Sequence, residues 1–273
     1  MSKSQDPSKF VVFFNSLTYI VLAYLTVFVL VNFLQGLFAS FYEIPAVITR
    51  EGVNFMAGTQ DWWFDSVIVV FSSKLVFLLL ISVIFFVVYI KSTIYKSYLK
   101  LYFMWGSFIA INWLAGEILY GSLLGLGFYH ALEWLYVKDT GILIFVVIAL
   151  FLYVIAALSF SKAFIVSGNI YFTKYDDKTF KDIFLFHILL PYLAAIGIFT
   201  LLKLPGFPVV ELLSHYTAIL VLGIMLFNMG KHARLFKQDE NPPPAFPDHK
   251  AMITGIFLIA AYVVFLEIGI HIG

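Results

Sequence analysis

The chain has no cysteine among its 273 residues, which excludes disulfides, thiolate nucleophiles and Cys-ligated metals or iron–sulfur clusters. Charge is the second scarcity: Asp, Glu, Lys and Arg together make up 12% of the residues, where a soluble domain carries about 25%. That charge balances to a formal +1, and the lysines are scattered rather than gathered beside aromatic platforms, so no basic field is present to hold nucleic acid. Catalytic signatures are missing too. No His is followed by Glu, which removes the H-E-x-x-H of zinc metalloproteases. Ser122 after Gly121 is only a fragment of a G-x-S-x-G setting, and neither a P-loop nor a G-x-G-x-x-G occurs.

What the chain has instead is apolar length. Hydrophobic residues make up 62% of it and the mean hydropathy is +0.96, so water is not its main solvent and the lipid bilayer is its expected surrounding. Several runs reach the roughly 20 apolar residues needed to cross a bilayer, and helices satisfy every backbone group there without help. A transmembrane β-barrel would show period-two alternation, whereas Val67–Ile90 and Gly141–Ser161 are apolar on both faces. The expected fold is therefore an all-α integral membrane protein, a bundle of about seven transmembrane helices in a single polytopic domain.

The expected spans are about Leu17–Leu37, Val67–Ile90, one within Leu101–Val137, Gly141–Ser161, Ile183–Leu202, Val209–Met229 and Ala251–Ile270. The polar start, Met1–Lys9, runs into a full-length apolar stretch with no small-residue cleavage site, which reads as a retained first span. Short loops rich in Lys and Arg stay in the cytoplasm. That rule puts the tail 1–9, the segment with Lys91, Lys96 and Lys100, the segment with Lys174, Lys178 and Lys181, and the Pro-rich loop 230–250 inside. The acidic loop 40–65 falls outside, with the C-terminus. The rule also asks for a single crossing within 101–137, hence a broken or re-entrant segment there, near Gly116, Gly121, Gly125 and Gly127; eight spans are the alternative. Gly121-Ser-Leu-Leu-Gly125 is a GxxxG pattern, and close helix packing is the favoured reading of its two glycines. Trp62, Trp63, Phe64 and Tyr42 fit an aromatic belt, and Pro191 should distort the fifth span.

Ionisable groups inside spans are expensive and by default mark function. Asn112, Glu117 and Tyr120 form one constellation, as a proton carrier, a substrate contact or a local hydrogen-bonded group. Lys74, two turns into the second span, either pairs with Glu117 or, as favoured, reaches for the interface. Three Glu/His pairs share helical spacing: His130 with Glu133, Glu211 with His215, and Glu267 with His271. All three fall near the outer ends of their spans. They can be unrelated solvated helix ends, or one outward-facing site that ligates a divalent metal such as Zn, Mn, Fe or Ni or relays protons. The resulting expectation is transport or proton-coupled permeation. A membrane-embedded metal-dependent enzyme and a non-catalytic subunit docking a membrane-protein partner or a second copy are the alternatives.

Overall fold

The structure, a computed structural model, describes residues 8–91, 98–172, 176–206, 208–231 and 246–273. Among the described residues seven helices are long and apolar enough to cross a membrane, the arrangement of an integral membrane protein. They are α1 (Lys9–Ser40), α2 (Phe64–Lys91), α3 (Leu99–Leu124) and, after a short α4 (Tyr129–Trp134), α5 (Asp139–Ile170), α6 (Asp177–Leu202), α7 (Val209–Met229) and α8 (His249–Ile268). Each expected span finds its helix, and the segment 101–137 holds one long helix and one short one. Most of the tail 1–9, Lys96, Lys174 and most of the loop 230–250, with Pro242, Pro243 and Pro244, lie outside the described residues.

Depth in the bundle follows sequence. In α3 and α1, 78% and 61% of the most apolar stretch is buried, against 22% in α5 and 17% in α8, so α1 and α3 form the centre and α5 and α8 the rim. On α5 the side chains of Leu143, Ile144, Val147, Phe151, Ile155 and Leu158 point outward. In water each would forfeit about 25 cal/mol per Å² of apolar surface; against lipid tails that penalty vanishes.

Two helices widen into π turns, and each wide turn carries a buried ionisable group: Glu117 in Glu117–Gly121 of α3 and His187 in Ile183–Leu189 of α6. Pro191 explains the second, because it has no N–H to give the His187 carbonyl four residues back and its ring crowds that carbonyl. In α3 the helix stops at Gly125, which is left-handed (φ +69°). A Cβ on Gly121 would meet the Leu126 carbonyl at 2.9 Å. The GxxxG glycines thus turn the chain within its own segment. The close helix contact is made by Gly116, where a Cβ would overlap the Ser214 hydroxyl of α7.

To the helices the structure adds a small sheet. In the segment 40–65, β1 (Ala46–Thr49) and β2 (Gly52–Phe55) form a hairpin, and the C-terminal β3 (Ile270–Ile272) pairs antiparallel with β1, giving the order β2-β1-β3. Ala46 and Ile48 are buried against the bundle. Trp62 packs edge-on against Phe55 with centroids 5.4 Å apart, while Trp63 is 72% exposed, so only part of the aromatic group faces outward. The sheet caps the bundle where α1, α3, α6 and α8 end and α2, α5 and α7 begin.

Candidate functional site

A cavity of about 330 Å³ lies under this hairpin. Its lining comes from six places in the chain: Asn32 and Gln35 of α1, Glu51 to Val53 and Phe55 of the hairpin, Phe71 and Lys74 of α2, Trp113 and Glu117 of α3, Leu126, Gly127 and His130 around the start of α4, and Pro208 to Glu211 at the start of α7. A second cavity, of about 490 Å³, shares Val53, Phe55, Phe71 and His130 with the first and extends towards Thr59 and Trp134.

Two ion pairs build the charged walls. Lys74 Nζ lies 3.0 Å from Glu117 Oε2, so the side chain expected to reach for the interface turns inward to its partner. A hydrocarbon-facing ammonium costs a few kcal/mol, and a carboxylate within hydrogen-bond reach removes most of that penalty. Lys203 Nζ lies 2.5 Å from Glu211 Oε2, with both side chains almost fully buried. The Tyr24 hydroxyl donates to the other oxygen of Glu211. The Lys203 ammonium sits 4.2 Å from the Phe28 ring centroid and 6.0 Å from that of Trp113, and Lys74 lies 5.2 Å from Trp113. One indole therefore stands within about 6 Å of two cations, a favourable use of its ring quadrupole.

From Glu211 a polar chain runs deeper. His215 Nε2 is 3.7 Å from Glu211 Oε1, and His215 Nδ1 is 3.2 Å from the Tyr192 hydroxyl. Tyr192 stacks on Trp105 at 5.9 Å, and Phe108 and Phe164 close the middle of the bundle. Beyond that plug is a second polar cluster. His187, fully buried, is held by Ser16 Oγ at 2.5 Å and Ser167 Oγ at 2.7 Å. Nearby, Tyr19 donates to Asp248 at 2.8 Å, and Asn15 Oδ1 accepts from the Asp248 backbone N–H at 2.7 Å.

The residues singled out in the sequence separate into groups. Glu117, Lys74, Glu211 and His130 line the same cavity. Asn112 lies behind it, its Nδ2 donating to Ser214 O at 2.9 Å, and Tyr120 is bonded to Thr217 rather than to Glu117. Of the Glu/His pairs, Glu211 and His215 are buried together, whereas His130 and Glu133 stand 3.8 Å apart with both side chains largely exposed. Glu267 turns away from His271 to Arg50, at 2.7 Å, because His271 belongs to β3 opposite Val47. All three pairs are at the hairpin end, yet among the described residues no three His, Asp or Glu side chains form a group that could hold a metal ion.

Sequence reasoning passed over Lys203, Tyr24, Asn32, Gln35 and Glu51. Asn32 and Gln35 were detectable as amides three residues apart inside an apolar run. Lys203 gave no such signal, since a lysine before a proline turn reads as a loop residue. No protein-family model, no curated protein and no solved structure matches the chain.

Proposed function

We propose that the protein is a membrane transporter that takes a small polar solute into the cavity under the hairpin and couples its movement to a proton. The observation that carries this reading is convergence: buried or partly buried ionisable side chains from α2, α3 and α7 meet at one cavity. Charged groups in spans are retained where they line a pathway, since buried ion pairs add little or nothing to stability over an apolar replacement. Glu211, His215 and Tyr192 supply a proton route from the cavity floor towards the aromatic plug.

The cavity faces outside in this reading. Lys9, Lys91, Lys100, Lys178, Lys181, Lys231 and Lys250 stand at helix ends away from the hairpin, against Arg50, Lys138 and Lys203 at the hairpin end. The positive-inside rule then places the hairpin and the C-terminus outside and the N-terminus in the cytoplasm. A single cysteine at Thr59 should react with an impermeant maleimide on intact cells and one at Lys250 should not, in a chain that has no cysteine of its own; the reverse pattern overturns the orientation.

For the transport itself, the protein in liposomes with an entrapped pH dye should show proton movement that starts when solute is added from a panel of amines, amino acids, sugars and carboxylates. Glu211→Gln and His215→Asn, checked for monodispersity, should abolish it. No solute-dependent proton movement with any of the panel, or undiminished movement in both variants, overturns the reading.

A further inference from the structure

Two side-chain amide oxygens on the cavity wall have no donor among the described residues. Asn32 and Gln35, 2% and 6% exposed, are neighbours at i, i+3 on α1 and both line the cavity. Asn32 Nδ2 donates to Phe28 O at 2.8 Å, and Gln35 Nε2 donates to Val70 O at 3.3 Å. Because each partner is a carbonyl, only the NH₂ end can face it, so the amide orientations follow from chemistry and both carbonyl oxygens are left over. Among the described residues neither oxygen accepts a hydrogen bond. The Asn32 oxygen faces the hairpin, 3.7 Å from where a Cβ on Gly52 would stand, beside Glu51 in the chain. Both oxygens open onto the cavity without a donor among the described residues, so they are placed to accept from a molecule that enters it.

The charge on the wall has the same sense. Glu51, Glu117 and Glu211 line the cavity. Lys74 answers Glu117, and Lys203 answers Glu211 while also feeling the charge of Glu51, so three carboxylates face two ammoniums. Trp113, Phe55 and Phe71 supply aromatic surface in the same space. About 330 Å³ has room for roughly ten water-sized groups at about 30 Å³ each.

We infer that the cavity binds a small organic cation bearing N–H donors, an amine or guanidinium compound, whose donors meet the Asn32 and Gln35 carbonyl oxygens and the Glu51 carboxylate. The aromatic rings take its carbon body, since ring faces attract cations as well as apolar surface. This names the solute class for the proposed transporter, although binding as such does not depend on transport.

The test uses the full-length protein in nanodiscs with radiolabelled agmatine as probe and unlabelled putrescine and succinate as competitors. Saturable agmatine binding is expected, displaced by putrescine and not by succinate. Glu51→Gln, on the exposed hairpin turn, should weaken it about tenfold, the scale of one charge-assisted hydrogen bond. Glu51→Asp should retain most of it, and Asn32→Leu should weaken it without lowering the melting midpoint. Absence of saturable binding, displacement by succinate instead of putrescine, or an affinity unchanged in Glu51→Gln overturns the inference. Agmatine binding without proton-coupled flux would keep the cation site and remove the transport reading. Flux of an anionic or neutral solute without agmatine binding would do the opposite.

Discussion

Lys74 and Glu117, 43 residues apart in sequence, meet at 3.0 Å across the α2–α3 interface. The contact joins the first turns of one membrane helix to the π turn of another. The wide turn matters because Gly127 closes over the carboxylate: a Cβ there would collide with Glu117 Oε1. A glycine at φ +55° therefore permits both the left-handed backbone and the close approach to the acid.

Breaking this pair should cost more than removing it. Lys74→Met leaves Glu117 without its counter-charge, and Glu117→Gln leaves the ammonium over Trp113 without its own. Each single change is expected to destabilise by on the order of 3 kcal/mol, and the double variant by clearly less than the sum, because a neutral Met–Gln pair leaves no uncompensated charge behind. Unfolding in a titration of denaturing detergent reads all four proteins. Additive losses would show that the two side chains do not interact energetically.

Gly116 should tolerate no side chain while Ser214 is present. A Cβ there would run into the Ser214 hydroxyl and come within 3.2 Å of the Tyr153 hydroxyl. Gly116→Ala is expected to cost about 1–3 kcal/mol through overpacking, and Ser214→Ala in the same chain should recover part of it. The same measurement on Gly125→Ala tests a different cause: a Cβ there would make only ordinary contact with the Tyr129 ring, at 3.8 Å, but the backbone is left-handed with φ +69°, so the loss there should be unaffected by any change on α7.

The helices were legible because the code for spanning a membrane is length and apolarity, which a sequence displays directly. Val209–Met229 is the clearest case, its expected bounds matching those of α7. The partners of the polar residues were not legible in the same way. Glu267 and His271 have the spacing of a helical pair, but Gly269, at φ +85°, ends α8 between them and sends His271 into a strand. Lys74 had two chemically reasonable outcomes, and the choice depended on Glu117 standing within reach, a fact about how α2 packs on α3. Lys203 became buried because its ammonium reaches in among Tyr24 and Phe28 of α1 and Trp113 of α3 to meet Glu211, and nothing in the local sequence states that.

The Arg50–Glu267 bridge, 2.7 Å long with the carboxylate side chain 60% exposed, looks like a latch between the hairpin and the end of α8, but exposed pairs contribute only about 0–1 kcal/mol. Glu267→Gln should therefore leave the unfolding midpoint almost unchanged. Ending the chain at Gly269 removes β3 and its ladder with β1, and it should increase hydrogen exchange at Val47 and Ile48 at least several-fold. Exchange in the hairpin that responds to Glu267→Gln and not to the truncation would make the salt bridge, rather than the strand, the element that holds the cap.

His187 should exist as one neutral tautomer, and the hydrogen bonds say which. Ser167 Oγ donates its only proton to Phe164 O at 2.8 Å, so in its 2.7 Å contact with His187 Nε2 it must accept, and the imidazole carries its proton on Nε2. Nδ1 is then left with a lone pair and accepts from Ser16 at 2.5 Å. Every donor and acceptor of the ring is used. Nitrogen-15 spectra of histidine-labelled protein should show a protonated Nε2 and an unprotonated Nδ1 for this residue. Ser16→Ala takes away the donor that faces Nδ1, leaves a buried acceptor unsatisfied and should cost about 1–3 kcal/mol. A spectrum with the proton on Nδ1 would require Ser167 to turn away from Phe164, and the order of donation through α1, α5 and α6 would have to be reversed.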